Sequence, residues 1–267
     1  MKGDYVHGYS ERESDRLQDQ ASTLSDLLHH DTKYPAGFRV LEAGCGVGAQ
    51  TVILARNSPE AFFTCVDISE ESLRLAEQRA KEEGISNVEF KHADLYDLPF
   101  RPGGFDAVFV CFVLEHLPEP EAALLALRKV MKDGGDITVI EGDHGSCYFH
   151  PDSERARSAI DCLVRDQATL GGDANIGRRL FPLVSSAGFR DVRVSPRMVY
   201  VDASKPSLVE GFTRNTFIAM VAGVRDRAIL SGAIDAAEFD KGIADLQRTA
   251  EQDGTFCYTF FKCNAKK

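Results

Sequence analysis

Residues 40–51, VLEAGCGVGAQT, close an apolar run with an acid and follow it with glycines on alternate positions, Gly44, Gly46 and Gly48. Glycine has no side chain, so this spacing predicts a tight turn on which a ligand lies directly against backbone N–H groups at a helix start. Several nucleotides use such a turn. Gly44-Cys45-Gly46-Val47-Gly48-Ala49 satisfies the dinucleotide pattern G-x-G-x-x-G/A, and Asp67 further on can bind the ribose hydroxyls of NAD. The glycines alone leave the ligand open.

Outward from this turn, short β-branched or aromatic runs alternate with longer helical ones. FRVLEA, FFTCVDI, VEFKHAD, FDAVFVCFV and DITVIEG read as strands, with QTVILARN, SEESLRLAEQRAKEEG and PEAALLALRKVMKDGG as helices between them. That rhythm predicts an α/β fold, a doubly wound and mostly parallel sheet covered on both faces. VRVSPRMVYV and TFCYTFFKC add two strands, giving seven. The expected organisation is an N-terminal helical lid over 1–37, a nucleotide-binding core over 38–142, a cap insertion over 143–177, core again over 178–203, a helical cap over 204–253 and a final core strand over 254–267. Asp235 and Glu238 supply an N-cap and capping-box pair inside the second cap. Both inserts follow strands. If the sixth strand runs parallel with the first five, both roof the edge on which the glycine turn opens.

Three acids narrow the ligand. Glu42 stands immediately before the turn, where a pyrophosphate would meet an unwelcome charge and an ammonium group a welcome one. Asp67 ends the second strand and can accept two hydrogen bonds from a ribose diol. Asp94, in HADLYDLPF, closes the third, where it can accept from an adenine amino group while the Leu95 N–H reaches a ring nitrogen. Ammonium, ribose and adenine, next to a bare turn, are parts of S-adenosylmethionine.

VLEAGCGVG, VDIS, HADLYDLPF and FDAVFVCFVLEHL resemble, in order, the motifs of class I S-adenosylmethionine-dependent methyltransferases, in particular the small-molecule branch that includes quinone-biosynthesis enzymes. The resemblance covers about residues 38 to 142 and implies a seven-stranded Rossmann-like fold, with S-adenosyl-L-homocysteine as product. It implies backbone contacts from Gly44, Cys45 and Gly46 to the methionine part, with Gly48 permitting close packing. It also implies Ile68 against adenine, and Cys111 and Phe112 at the cofactor edge past the fourth strand. In similar enzymes the N-terminal segment folds over the cofactor, which puts Tyr9 near its carboxylate end and Arg12 or Arg16 at the charge nearby. An ordinary amphipathic cover helix explains the same segment.

Methyl transfer from a sulfonium is an in-line displacement in which positioning and proton removal carry the catalysis. His144, in EGDHGSCYFH with Glu141 and Asp143 alongside, is the candidate base; the plainer alternative is that it begins a polar loop. His116, in LEHLPEP, sits where the resembled branch often carries a similar residue, and it either faces the acceptor or packs. His144, Cys147 and His150 form a loose H-x-x-C-x-x-H array, short of an established zinc pattern, so no metal is expected. Phe212, Phe217 and Met220 in GFTRNTFIAMVAG read as core or as an apolar acceptor pocket. Arg214 and Asn215 read as acceptor contacts or as a solvated face.

A formal net charge of −10 in 267 residues, without a basic cluster, disfavours nucleic acid as partner. So does Cys111-Phe112-Val113-Leu114, where methyltransferases of nucleobase amino groups resemble one another in Asn/Asp-Pro-Pro-aromatic. No membrane span or signal peptide is read, and seven cysteines without CxxC fit reduced thiols, so the expected setting is cytoplasmic. The reading is methyl transfer to a small organic acceptor; an NAD(P)-dependent oxidoreductase and a non-catalytic S-adenosylmethionine-binding protein are the alternatives. Acceptor, oligomeric state and pathway stay open.

Overall fold

The computed structural model describes residues 24–267. Seven strands form one sheet in the order β3-β2-β1-β4-β5-β7-β6: β1 Arg39–Ala43, β2 Phe62–Asp67, β3 Val88–His92, β4 Phe105–Cys111, β5 Met131–His150, β6 Arg190–Asp202 and β7 Thr255–Lys266. The first five are parallel, and β7 runs antiparallel to both its neighbours, so β6 points the same way as the first five. The order reverses between β1 and β4, where open α/β sheets form their ligand crevice.

Side chains alternate across the pleat, so each strand feeds two cores. Ala107, Phe109 and Cys111 of β4 face one cluster, while Val108 and Val110 face the other. On the second face lie the helices α3 Pro120–Val130 and α5 Leu180–Ser186, through Leu124, Leu127, Leu180 and Val184. On the first lie α1 Ala49–Asn57, α2 Glu70–Glu82 and α4 Glu154–Thr169. Local chemistry sets the helix starts: Ser69, Ser153 and Asp235 each accept a side-chain cap bond from the amide three residues on, at 3.2, 3.2 and 2.9 Å.

The two inserts differ from the expected outline. β5 does not stop at Gly142; it runs to His150, with a register shift between Asp143 and Tyr148, so the first cap begins only at α4. In the second insert, Pro206–Leu208 leads into a π-helical run, Val209–Ile218, and on through Ala219–Gly223. Then follow α6 Arg225–Leu230 and α7 Ala236–Arg248, so the second cap is assembled from several helical pieces. α7 packs on α4, with Gly242 letting the α4 backbone come close at Arg155. The ends of β5 and β6 stand beside the start of β7, His150 opposite Thr255 and Thr255 opposite Asp202. Both inserts therefore leave from the edge on which the β1 turn opens. Among the described residues no helix is long and apolar enough to cross a membrane.

Candidate active site

The turn after β1 is held open by its own bonds. Gly44 and Cys45 N–H both donate to the Val66 carbonyl, at 2.8 and 3.0 Å, and Gly46 N–H donates to Asp67 Oδ2 at 2.8 Å. Gly44, Gly46 and Gly48 have φ of 73°, 52° and 77°, a region that favours glycine. Their surroundings differ: a Cβ on Gly44 would lie 2.5 Å from Val113, one on Gly48 would lie 3.0 Å from Ala76 of α2, and one on Gly46 would meet nothing within 4 Å. Gly44 and Gly48 are thus packing glycines, and Gly46 leaves an open cradle.

Asp67 closes the turn from the other side, its Oδ1 accepting Ser69 N–H at 2.9 Å. Burial raises its carboxyl above the usual range, opposed by these amide bonds. Beside it Ile68 is 58% exposed, a large apolar side chain left uncovered at the strand tip. Asp94 is exposed, with Oδ1 accepting from Tyr96 N–H at 2.9 Å, and Leu95 is buried. Glu42 is buried beneath the turn, where Thr51 Oγ1 donates to its Oε2 at 2.7 Å. Burial pushes its carboxyl up to about 7. Cys45 is buried and its thiol raised by the same cause. At the end of β4, Cys111 is buried, and Phe112 adopts φ 57°, a strained conformation of the kind that collects at working sites.

Beyond β4 lies a second group of polar side chains, most of them buried. His144 sits within the β5 irregularity, 4% exposed, with Nδ1 2.8 Å from the Tyr258 hydroxyl and Nε2 3.9 Å from Glu115 Oε2. The acids expected to orient it are engaged elsewhere. Asp143 takes a bidentate pair from Arg178, both bonds 2.6 Å, and Glu141 Oε1 accepts the N–H groups of Val113 and Leu114 at 3.1 and 2.8 Å. His144 therefore begins no polar loop. Tyr258 and Glu115, which sequence reasoning passed over, are its partners, and His116 Nε2 lies 3.5 Å from Glu115 Oε1.

Burial, then the neighbouring Glu115 charge, raise Glu141 well above the carboxylate range; burial first and the same charge raise Tyr258. Phe212 and Phe217 are fully buried around Tyr258, and Phe260 links Tyr258 to Phe112, with centroids 4.7 and 5.5 Å away. Met220 is buried in the same cluster.

The remaining expectations fare variously. Arg214 binds Gln247 Oε1 and the Ala250 carbonyl, both at 3.1 Å, and so ties the π-helical run to the end of α7; Asn215 is exposed. Cys147 Sγ donates to the His144 carbonyl and His150 is exposed, so the H-x-x-C-x-x-H spacing does not converge. Tyr9, Arg12 and Arg16 lie outside the described residues.

The residues on the β1–β2 edge fit a nucleoside thioether. An open cradle at Gly46, a carboxylate at the next strand tip and an uncovered Ile68 match backbone, diol and base. An ammonium group has the raised Glu42 carboxyl below it.

Residues 40–135 match a family described as methyltransferase domain. Demethylmenaquinone methyltransferase of Listeria welshimeri is 30% identical over 149 residues, which are 52% of this chain and 63% of that protein. The chain spans about half the length of the curated relatives it matches. Among solved structures, the phosphoethanolamine N-methyltransferase 2 of Haemonchus contortus, in complex with phosphomonomethylethanolamine and S-adenosylhomocysteine, covers 93% of this chain and 53% of its own. Its TM-score is 0.57 at 17% identity. The [4+2]-cyclase SpnF covers 95% and 80%, with a TM-score of 0.56 at 20% identity. At these identities the two structures share the fold.

Proposed function

We propose that this chain, which carries a class I S-adenosylmethionine-dependent methyltransferase domain, transfers a methyl group from S-adenosylmethionine to a small organic acceptor. The observation that carries the reading is the open Gly46 turn fastened to Asp67, with Ile68 uncovered beside it. When bound, the cofactor supplies an electrophilic methyl on a sulfonium. Everything else falls to the chain's own residues.

Gly44, Cys45 and Gly46 form the backbone floor for the methionine part, and Glu42 favours its ammonium from below. Asp67 takes the ribose diol, Ile68 covers one adenine face, and Asp94 with the Leu95 N–H reads the adenine edge. Cys111 and Phe112 bring the end of β4 to the transferred methyl. The acceptor enters between that edge and the caps, against the aromatic group of Phe112, Phe260, Phe212 and Phe217, with His144 and His116 nearby. Apolar walls around a few convergent polar groups suit a flat organic molecule, as the quinone acted on by the demethylmenaquinone relative would be.

The likeness to a cyclase keeps a second reading in play, in which the fold binds the cofactor without methyl transfer. Calorimetry on purified protein is expected to show S-adenosylhomocysteine binding and no NAD binding. A panel of quinols, phenols, amines and thiols, followed by mass spectrometry, is expected to yield a methylated acceptor together with S-adenosylhomocysteine. Absence of binding sinks the cofactor assignment; binding without any methylated product leaves the non-transferring reading in its place.

A further inference from the structure

Glu115 lies in the 3₁₀ turn Leu114–His116 just past Phe112 and is 7% exposed. Its backbone is fixed from the first cap: the Glu115 carbonyl accepts from Asp173 N–H at 2.8 Å and from Gln167 Nε2 at 3.0 Å. Gly172 passes so close that a Cβ there would press on that carbonyl. The carboxylate is held quite differently. Gln167 Nε2 is 3.4 Å and His144 Nε2 3.9 Å from Oε2, and His116 Nε2 is 3.5 Å from Oε1. Charge-assisted contacts close to about 2.7–2.9 Å when nothing else is to be bound. Three donors ring this acid and none reaches that distance, a spacing that catalytic groups keep until substrate completes the set.

The neighbours are less suited to take a proton. A carboxylate only accepts, so the His144 nitrogen facing it carries hydrogen, and in the neutral ring the Nδ1 lone pair is met by the Tyr258 hydroxyl at 2.8 Å. Both sides of His144 are thus turned to protein. Burial first, and then the Glu115 charge, oppose ionisation of Glu141. Burial foremost, then the Glu141, Glu42 and Glu115 carboxyls, oppose ionisation of the Cys111 thiol. Among the described titratable groups facing Glu115, namely His116, His144, Glu141, Tyr258 and Cys111, Glu141 also offers a loosely met oxygen, its Oε2, but its Oε1 is anchored by the Val113 and Leu114 amides and burial opposes its ionisation, whereas both Glu115 oxygens are met only at long range.

Resting on the methyl-transfer reading, we infer that Glu115 takes the acceptor's proton and that His144, backed by Tyr258, is its positioning residue. The acceptor's lone pair forms the bond to the methyl carbon, the carbon–sulfur bond breaks with its electron pair left on sulfur, and the acceptor's proton passes to a Glu115 oxygen. No oxidant or further reactant enters.

The test compares Glu115→Gln, Glu115→Asp, His144→Gln and His116→Gln with the parent chain. S-adenosylhomocysteine affinity by calorimetry is expected to stay within about twofold in all four, which separates this proposal from the cofactor assignment. On the acceptor found by the panel, Glu115→Gln is expected to lower kcat at least ~100-fold and to abolish the acidic limb of the kcat–pH profile, as loss of a general base does. Glu115→Asp recovers part of both; His144→Gln lowers kcat less and moves the limb. Without any acceptor, ¹⁵N-histidine spectra are expected to show the His144 and His116 ring signals displaced in Glu115→Gln, as loss of the carboxylate facing both rings requires. Parent-like kcat and limb in Glu115→Gln, disappearance of the limb in His116→Gln or His144→Gln alone, or unmoved histidine ring signals would each overturn the assignment.

Discussion

The edge at the tips of β1 and β2 and the edge at the tips of β4 and β5 are built on opposite plans. The first is open and local: Glu42, Gly46, Asp67 and Ile68 lie within one strand–helix–strand passage, Gly46 faces empty space and Ile68 is uncovered. The second is sealed and assembled from afar: Glu115, His144, Gln167, Phe217 and Tyr258 come from five stretches of chain, and each is buried. A cofactor common to many proteins is met by a cradle that needs few long-range contacts. On the reading proposed above, the acceptor is met by a region whose polar groups are positioned by the core itself, so that reactivity and stability share side chains there.

Substitutions should separate the two edges, and the largest effect is expected where function and core coincide. Phe217→Ala removes a fully buried ring packed on Phe256 and Tyr258, and is expected to cost about 3–5 kcal/mol in urea unfolding. A loss below about 1 kcal/mol would mean that this ring contributes little to the core and that the two edges do not differ as described.

Next in size is the pH response of the open edge. Glu42 has a folded value of about 7 against an ordinary 4.5, so the native state holds an extra proton between those values. Its contribution is full below about pH 4.5 and lost as pH rises through 7, a span of about 3 kcal/mol. Glu42→Gln should therefore gain stability relative to the parent over that window, and parallel stability–pH curves would refute the assignment of the raised group. Asp67→Ala loses a charged acceptor at the cofactor edge, about 2 kcal/mol or ~30-fold in S-adenosylhomocysteine affinity by calorimetry. Smallest of all, Ile68→Ala is expected to leave stability within about 0.5 kcal/mol while weakening the same ligand a few-fold. A stability loss as large as that of Phe217→Ala would erase the contrast between the edges.

The same contrast decided what the sequence could disclose. Period-two runs and cap residues are local signals, so the strands, the mostly parallel sheet and the N-cap at Asp235 were legible. So was the turn, because three glycines in five positions have few other uses. The end of β5 was not. EGDHGSCYFH looks polar, but Asp143 is neutralised by Arg178 and His144 is met by Tyr258, partners far along the chain that make a strand of it. Glu115 stood in plain view within LEHL, yet nothing nearby marks it off from a solvated acid; its burial comes from Gln167 and the Gly172 loop. Tyr258 lay inside TFCYTFFKC, where alternation says which face a residue takes and not what its hydroxyl meets.

One feature of the sheet bears on how the molecule is made. β7, last of the strands in chain order, fills the slot between β5 and β6, and its Lys262 reaches across to the Leu28 carbonyl, Asp31 and Thr32 at 3.1, 2.6 and 2.6 Å. Until those residues emerge from the ribosome, β6 has no neighbour to pair with, and residues 28–32 lack the ammonium that fastens them. The half of the sheet that carries the β1 turn can form early in synthesis, while the other half waits for β7, leaving a window in which β6 and the outer edge of β5 have no strand to pair with.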